Sequence, residues 1–183
     1  MHRKGIILAG GSGSRLYPLT QVISEQLLPV YGKPMIYYPL TTLMMAGIDE
    51  ILLITTPHEQ HLFRQLLGDR SQWGLRLEYA AQPHPGGLAH AFLIGRELVD
   101  GELSCLILGE IVLLGGGMRE MLSLAAERER GATVLGYWVT VPARYGVVEM
   151  DKAGAALSLE QKPPPSEIKI RCHRPVFLRR AGL

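Results

Sequence analysis

A glycine-rich loop with an arginine follows the first apolar run of the chain. Residues 6–9 are apolar, Gly10, Gly11 and Gly13 come next, and Arg15 stands two residues further on. Glycines let backbone N–H groups approach a phosphate closely, and an arginine can bind a phosphate through two hydrogen bonds. The pattern predicts a phosphate-binding loop, and a tight turn with a solvated arginine is the alternative.

Two familiar phosphate-binding motifs do not fit this loop. The P-loop string, GxxxxGK followed by Ser or Thr, occurs nowhere in the sequence. The dinucleotide-binding fingerprint needs a third glycine where this chain has Leu16, and an acidic residue further on where it has Tyr31. Hydride transfer is therefore only a weak alternative.

Composition excludes several other classes of protein. The chain has 183 residues, a formal net charge of +2, 47% hydrophobic residues and 7% aromatic residues. This balance argues against an acidic disordered chain, a dedicated polyanion binder and a stacking platform for single-stranded nucleic acid. Cys105 and Cys172 form neither a disulfide framework nor a CxxC metal site, so we expect a reducing, cytoplasmic setting. No apolar stretch approaches the roughly 20 residues of a membrane helix, so we expect no membrane partner.

Short apolar runs alternate with segments of helical periodicity. The predicted strands are 5–9, 51–55, 75–81, 103–108, 133–141, 147–150 and 156–160, and the predicted helices are 34–46, 58–67, 88–99 and 118–130. This alternation favours a Rossmann-like three-layer α/β fold with a mostly parallel sheet. Such a sheet binds its ligand beyond the carboxyl ends of its strands, here in the loops 10–16, 82–87 and 109–117.

Three consecutive motifs carry a resemblance to a known family. The glycine loop is followed by Gln26-Leu27-Leu28-Pro29-Val30 and then by Lys33-Pro34-Met35-Ile36. Matching stretches continue in order at 47–48, 66–69, 73–75, 82–83, 87–89, 108–109, 144–149 and 159–163. From residue 4 to about residue 165, the chain resembles the sugar nucleotidyltransferases, and most closely the glucose-1-phosphate thymidylyltransferases.

The resemblance implies a reaction, its substrates and a cofactor. Glucose 1-phosphate would attack the α-phosphorus of dTTP, giving dTDP-glucose for deoxysugar, dTDP-rhamnose and polysaccharide synthesis and releasing pyrophosphate. Mg²⁺ is the implied cofactor. Such a displacement depends on in-line positioning and charge neutralisation more than on covalent catalysis.

The resemblance also assigns residues to roles. The nucleotide would be bound by Gly10, Gly11, Gly13, Ser14, Arg15, Gln26, Gln82 and Gly87. The sugar phosphate would be bound by Tyr145, Gly146, Glu160, Gln161 and Lys162. Among these, Gln82 and the Gly87 backbone would contact the thymine edge, while Arg15 and position 25 would be catalytic. The alternatives are that Tyr145 and Glu160 cap hairpin ends and that Gln82 satisfies loop backbone.

Several of these positions depart from the family pattern. Position 25 carries Glu25 in place of a lysine that contacts the phosphates, which changes the local charge by two units. At the metal position, Glu110 replaces an aspartate, and Ile111 replaces the asparagine beside it. Mg²⁺ tolerates little change in ligand distance, so the extra methylene of Glu110 would shift the ion or interpose water. Gln161 keeps the size of the family glutamate but loses its charge.

The last residues of the chain do not match the family. We expect an incomplete catalytic domain at 1–165 and an unrelated basic tail at 166–183, whose arginines are Arg171, Arg174, Arg179 and Arg180. One alternative is a disordered tail that contacts nucleic acid. Our hypothesis is a frameshift. Codons can be chosen for the tail that, when read one base later, encode Tyr-Ala-Val-Thr-Gly-Leu-Tyr-Phe-Tyr-Asp-Glu-Gln-Val. This alternative segment resembles the family. The coding DNA decides between them.

Two function classes remain open at this point. The chain is either an active thymidylyltransferase or a degenerate fragment with at most weak nucleotide binding, since the second metal ligand of the family is absent. A nucleic-acid-binding module rests on the arginines of the tail alone. A family-like homo-oligomer is doubtful for a truncated chain.

Overall fold

A computed structural model describes most of the chain. The described residues are 3–11, 13, 16–69, 71–84, 86–128, 131–138, 146–151, 155–161 and 170–178. The chain divides into two compact units, one of Met1–Ala132 with Phe177–Leu183 and one of Thr133–Val176. Among the described helices, none is both long enough and apolar enough to cross a membrane.

A four-stranded parallel sheet forms the centre of the first unit. Its strands are β1 (Arg3–Ala9), β4 (Glu50–Thr55), β5 (Arg76–Ala81) and β6 (Leu103–Leu108). They lie in the order β5-β4-β1-β6, with Ile6 of β1 opposite Leu52 on one side and Leu106 on the other. The inner strands are apolar over nearly their whole length because both faces of the sheet are covered.

The helices of this unit lie on the two faces of the sheet. They are α1 (Tyr37–Met45), α2 (Gln60–Leu67), α3 (Gly87–Ile94), α4 (Arg96–Val99) and α5 (Met118–Glu127). On one face Ile6, Leu8 and Leu52 pack with Ala91 of α3. On the other face Gly5 lies against Leu43 of α1, where an added Cβ would come within 2.8 Å of the leucine Cδ1. Successive residues of a strand point to opposite faces, so this arrangement confirms the three-layer α/β prediction.

Each of the four predicted helices differs from the structure in its bounds, and two of them differ for a structural reason. The helix predicted at 34–46 begins at Tyr37, because Lys33–Pro34 forms strand β3 of a small hairpin with β2 (Pro29–Val30). The helix predicted at 88–99 is divided at Gly95 into α3 and α4. A Cβ at Gly95 would lie 2.9 Å from Cδ1 of Ile6, so the chain approaches the sheet closely at this break.

The second unit contains most of four further strands. They are β7 (Ala132–Trp138), which begins at the last residue of the first unit, β8 (Gly146–Met150), β9 (Ala156–Gln161) and β10 (Ile170–Leu178), whose residues 177–178 belong to the first unit. β8 pairs with β9 as the predicted hairpin, and β10 pairs with β8 and with β7. Residues 170–178 therefore form a strand, which overturns the alternative of a wholly disordered tail. Residues 139–141 of the predicted strand lie outside the described part of the chain, and the boundary at residue 165 stays a prediction.

Cys105 provides a chemical test of the central sheet. It lies in β6 opposite Gly5 and is 1% exposed, and burial raises the pKa of its thiol. The C172S variant keeps Cys105 as its one thiol. Because the thiolate is the reactive species, we expect this variant, when folded, to resist alkylation by iodoacetamide at pH 8. Unfolding in guanidinium should make it react at once. The pKa of the Cys105 thiol is higher in the folded chain than its ordinary value of 9.0, which it regains on unfolding. Ionisation of this thiol should therefore lower the free energy of unfolding only when the pH rises above 9.0. Rapid native alkylation would contradict the fold.

Candidate functional site

The carboxyl ends of the parallel strands bring three predicted site segments to one edge. Gly10 follows β1, Gln82 follows β5, and Gly109 follows β6. The ladder of backbone bonds continues past the strands: Gln82 donates its N–H to Thr55 O at 2.8 Å, and Gly109 donates to Leu8 O at 2.9 Å. These hydrogen bonds fix where each loop leaves the sheet. The three predicted binding loops therefore begin at one edge of the sheet, and the ligand site there stays a prediction.

Gln82 extends from the end of β5 toward the glycine loop. Its side chain is buried, at 4% exposed, and β4 lies between its own strand and β1. A Cβ at Gly10 would lie 3.1 Å from Oε1 of Gln82. The glutamine oxygen and the start of the loop are therefore neighbours, as a shared nucleotide site requires.

Gln26 and Glu110 form a second polar contact at this edge. Gln26 lies in a single 3-10 turn, Glu25–Leu27, and is 2% exposed. Its Nε2 donates to Oε2 of Glu110 at 3.4 Å, and the hydroxyl of Ser24 donates to its Oε1. The predicted nucleotide ligand and the predicted metal ligand are thus brought together. Glu25, directly before Gln26, is half-buried and not a fully solvated side chain.

Close packing explains the glycine at position 109. A Cβ there would lie 2.7 Å from Cγ of Gln26 and 3.0 Å from Cβ of Ala9. We expect Gly109→Ala to displace Gln26 and to lower the free energy of unfolding by about 1–3 kcal/mol, as overpacking usually does. Gly116→Ala is the control, because nothing lies within 4 Å of a Cβ at that glycine. Urea unfolding of both variants measures the difference, and equal stability would contradict the packing described.

Thr20 holds the glycine loop and was missed by the sequence analysis. Its hydroxyl donates to the carbonyl of Gly13 at 2.7 Å, and the N–H of Leu16 donates to the same oxygen at 2.9 Å. Gly13 has φ +57°, which favours glycine. Gly11 is exposed, and nothing lies within 4 Å of a Cβ added there. The predicted residues Ser14 and Arg15 lie outside the described residues.

Ile111, beside the predicted metal ligand, packs in the core. It follows Glu110 but is 5% exposed, and its N–H donates to Leu108 O at 3.1 Å. Its side chain therefore belongs to the core and supplies no polar group at this edge. Ser24 and His90 were also missed. Ser24 lies two residues before Gln26 and His90 lies eight residues after Gln82, but no sequence pattern predicts that these side chains are hydrogen-bonded.

The predicted sugar-phosphate residues fall in the second unit. Gly146 begins β8 and lies opposite Gln161 of β9, and Val147 lies opposite Glu160. The backbone of this hairpin therefore brings Gly146, Glu160 and Gln161 together. Tyr145, Lys162 and the side chains of Glu160 and Gln161 lie outside the described part of the chain.

The described residues offer a limited set of ligands for a metal ion. They contain no cluster of three or more His, Cys, Asp and Glu side chains. Mg²⁺ in phosphate-binding sites is often held by one or two carboxylates, with phosphate oxygens and water completing its shell. The Glu110 carboxylate at the strand edge fits this arrangement when a phosphate is present.

Sequence comparison identifies the family to which this arrangement belongs. A family model described as nucleotidyl transferase matches residues 4–171. The chain is a member of the nucleotidyl transferase family. The resemblance inferred from the motifs is confirmed, and so is the Rossmann-like α/β fold that it implied.

Two curated relatives carry the name glucose-1-phosphate thymidylyltransferase. A glucose-1-phosphate thymidylyltransferase of Xanthomonas campestris pv. campestris is 60% identical over 161 residues, covering 88% of this chain and 55% of the relative. The enzyme of that name from Neisseria gonorrhoeae is 57% identical over 160 residues, covering 87% and 56%. The chain therefore spans about half the length of the curated relatives it matches.

A solved structure supports the same assignment. A Bacillus anthracis protein described as a glucose-1-phosphate thymidylyltransferase, crystallised in complex with sucrose, superposes with a TM-score of 0.88. It is 31% identical, and the match covers 96% of this chain and 70% of that one. This superposition supports the nucleotidyl transferase fold for the described residues.

Proposed function

We propose that the chain binds dTTP at the carboxyl edge of its parallel sheet and transfers the thymidylyl group to glucose 1-phosphate. The observation that carries this proposal is the pair of buried glutamines beside the strand ends, Gln82 against Gly10 and Gln26 against Gly109. Two fixed amides beside a glycine loop can bind a base and a phosphate chain together. The names of the relatives supply the substrate pair.

The chemistry follows from these positions. Backbone N–H groups of the glycine loop would bind the triphosphate, and Gln82 would contact the base. A phosphate oxygen of glucose 1-phosphate would form a bond to the α-phosphorus while the bond to the bridging oxygen breaks and pyrophosphate leaves. The hairpin residues Gly146, Glu160 and Gln161, with Tyr145 and Lys162, would bind the sugar phosphate.

Mg²⁺ is part of the proposal. Glu110 would hold the ion together with phosphate oxygens, and Gln26 orients the Glu110 carboxylate through its amide. Bound Mg²⁺ would neutralise charge on the triphosphate and polarise the phosphorus under attack. We also propose a cytoplasmic reaction that supplies dTDP-glucose for deoxysugars such as dTDP-rhamnose.

A second candidate function is nucleotide binding with little or no turnover. Two glutamates favour it. Glu25 places a carboxylate beside the triphosphate site, and Glu110 reaches the edge with a longer side chain than aspartate. Like charges close to a triphosphate in a poorly solvated site are costly.

Phosphorus NMR separates the two candidates. The full chain is mixed with dTTP, glucose 1-phosphate and Mg²⁺, and dTTP affinity is measured in parallel by calorimetry. Transfer predicts resonances of dTDP-glucose and pyrophosphate that require all three components. Binding without product supports the second candidate, and the absence of both binding and product overturns the proposed function.

A further inference from the structure

His90 contacts the amide of Gln82 from the first turn of α3. The distance from Nε2 of Gln82 to Nδ1 of His90 is 3.0 Å. Gln82 is 4% exposed and His90 is half-buried, so water competes little for this contact. The contact joins the proposed base-reading residue to the helix that begins at Gly87, the other residue predicted to contact the base.

The chemistry of the two groups fixes the direction of this hydrogen bond. An amide nitrogen carries hydrogens and accepts nothing, so Gln82 donates and Nδ1 of His90 accepts. The imidazole must then be neutral and carry its proton on Nε2. An imidazolium has a hydrogen on both nitrogens and would meet the amide donor with a second donor.

The histidine ring is held in place from two sides. His84 stacks on it with ring centroids 5.3 Å apart and an angle of 20° between the planes. A Cβ at Gly86 would lie only 2.3 Å from Nδ1 of His90, so the absence of a side chain at Gly86 lets the ring sit there. The acceptor atom that faces Gln82 therefore has a defined position.

We propose that His90 is a positioning residue that fixes the Gln82 amide and thereby sets the base preference of the site. With Nε2 turned toward His90, Oε1 lies on the side of Gly10 and the glycine loop. That oxygen can accept the N3–H of thymine or uracil. Cytosine has an unprotonated N3, which would oppose the oxygen, and turning the amide over would break the His90 hydrogen bond. The inference rests on the proposed nucleotide site.

Nitrogen NMR of the nucleotide-free chain tests the hydrogen bond by itself. We expect the Nδ1 resonance of His90 to show an unprotonated acceptor and the Gln82 side-chain amide to be protected from exchange. In His90→Leu that protection should be lost. A proton on Nδ1, or an amide that exchanges equally in both proteins, would overturn the inference.

Calorimetry with dTTP and dCTP tests the consequence. Wild type should prefer dTTP, and His90→Leu should reduce the ratio of the two affinities about tenfold, as loss of one buried hydrogen bond implies. His90→Asn should restore most of the preference, because its Oδ1, like Nδ1, is bonded to Cγ and accepts. His61→Leu, a change of an exposed histidine on α2, is the matched control, and thermal unfolding checks that every variant is folded.

The outcomes distinguish the inference from the function on which it rests. If wild type binds neither nucleotide, the proposed function fails. If wild type and His90→Leu bind dTTP with the same preference over dCTP, the role of His90 is overturned while the nucleotide site stands. Failure of His90→Asn to restore the preference that His90→Leu loses would also overturn it, since a lost acceptor could not then be the cause.

Discussion

The Glu25→Lys variant is expected to bind dTTP about 30-fold more tightly than wild type at low salt. The change replaces an anion by a cation directly before Gln26, whose side chain reaches Glu110 at the strand edge. Two units of charge acting on a triphosphate through a partly solvated protein are worth about 2 kcal/mol, which corresponds to that change in affinity. Calorimetry at several salt concentrations measures it, and the gain should shrink as salt is added.

Glu127→Lys is the matched control for the lysine variant. It makes the same change in net charge on an exposed residue at the end of α5. The neighbouring carbonyl of Ala126 accepts a hydrogen bond from Arg3 at the beginning of β1, which places Glu127 near the opposite edge of the sheet. Equal gains in the two variants would mean a general charge effect and would contradict a triphosphate beside Glu25.

The Gly13→Ala variant is expected to lose at least about 100-fold in dTTP affinity while remaining folded. Its Cβ would lie 2.7 Å from Cγ2 of Thr20, at a backbone φ of +57°. Thr20 would have to move, and its hydrogen bond to the Gly13 carbonyl would be lost with it. The loop would then present its N–H groups in a different direction, and two charge-assisted bonds to phosphate are worth about that loss.

Gly47→Ala separates the clash from backbone strain. Gly47 has φ +72°, yet nothing lies within 4 Å of its added Cβ. We expect this variant to lose about 1–2 kcal/mol of stability and to keep its dTTP affinity. If both alanine variants bind dTTP as wild type does, the loop is not the triphosphate site.

Local pattern was enough to predict the layers of the first unit. Apolar runs such as 51–55 and 103–108 became buried parallel strands, because strands covered on both faces need such runs. Pro34 is an acceptable first residue for a helix, but the Tyr31–Gly32 turn pairs it with Pro29 instead. Gly95 divides a predicted helix and lies close to Ile6 of β1, and local periodicity cannot reveal that approach.

The sequence was enough to predict several residues of the candidate site but not the hydrogen bonds between them. The resemblance pointed to Gln26, Gln82 and Glu110, and the first unit places all three at the ends of its strands. Thr20 and His90 contribute through hydrogen bonds to Gly13 and Gln82, and those partners become visible only when the chain is folded. Ile111 shows the converse, since a residue beside the predicted metal ligand turned out to pack in the core.

Titration of the ¹⁵N-labelled chain with dTTP shows where on the sheet the nucleotide binds. We expect amide resonances to move at the carboxyl edge of the parallel sheet, in Gly10, Gly11, Gly13, Gln26, Gln82, Gly87 and Glu110. Lys4, Glu50 and Arg76 form an ion-pair cluster at the beginnings of the strands, and their resonances should stay in place. Saturating dTTP that shifts this cluster instead, or shifts no resonance at all, would contradict a nucleotide site at the strand ends.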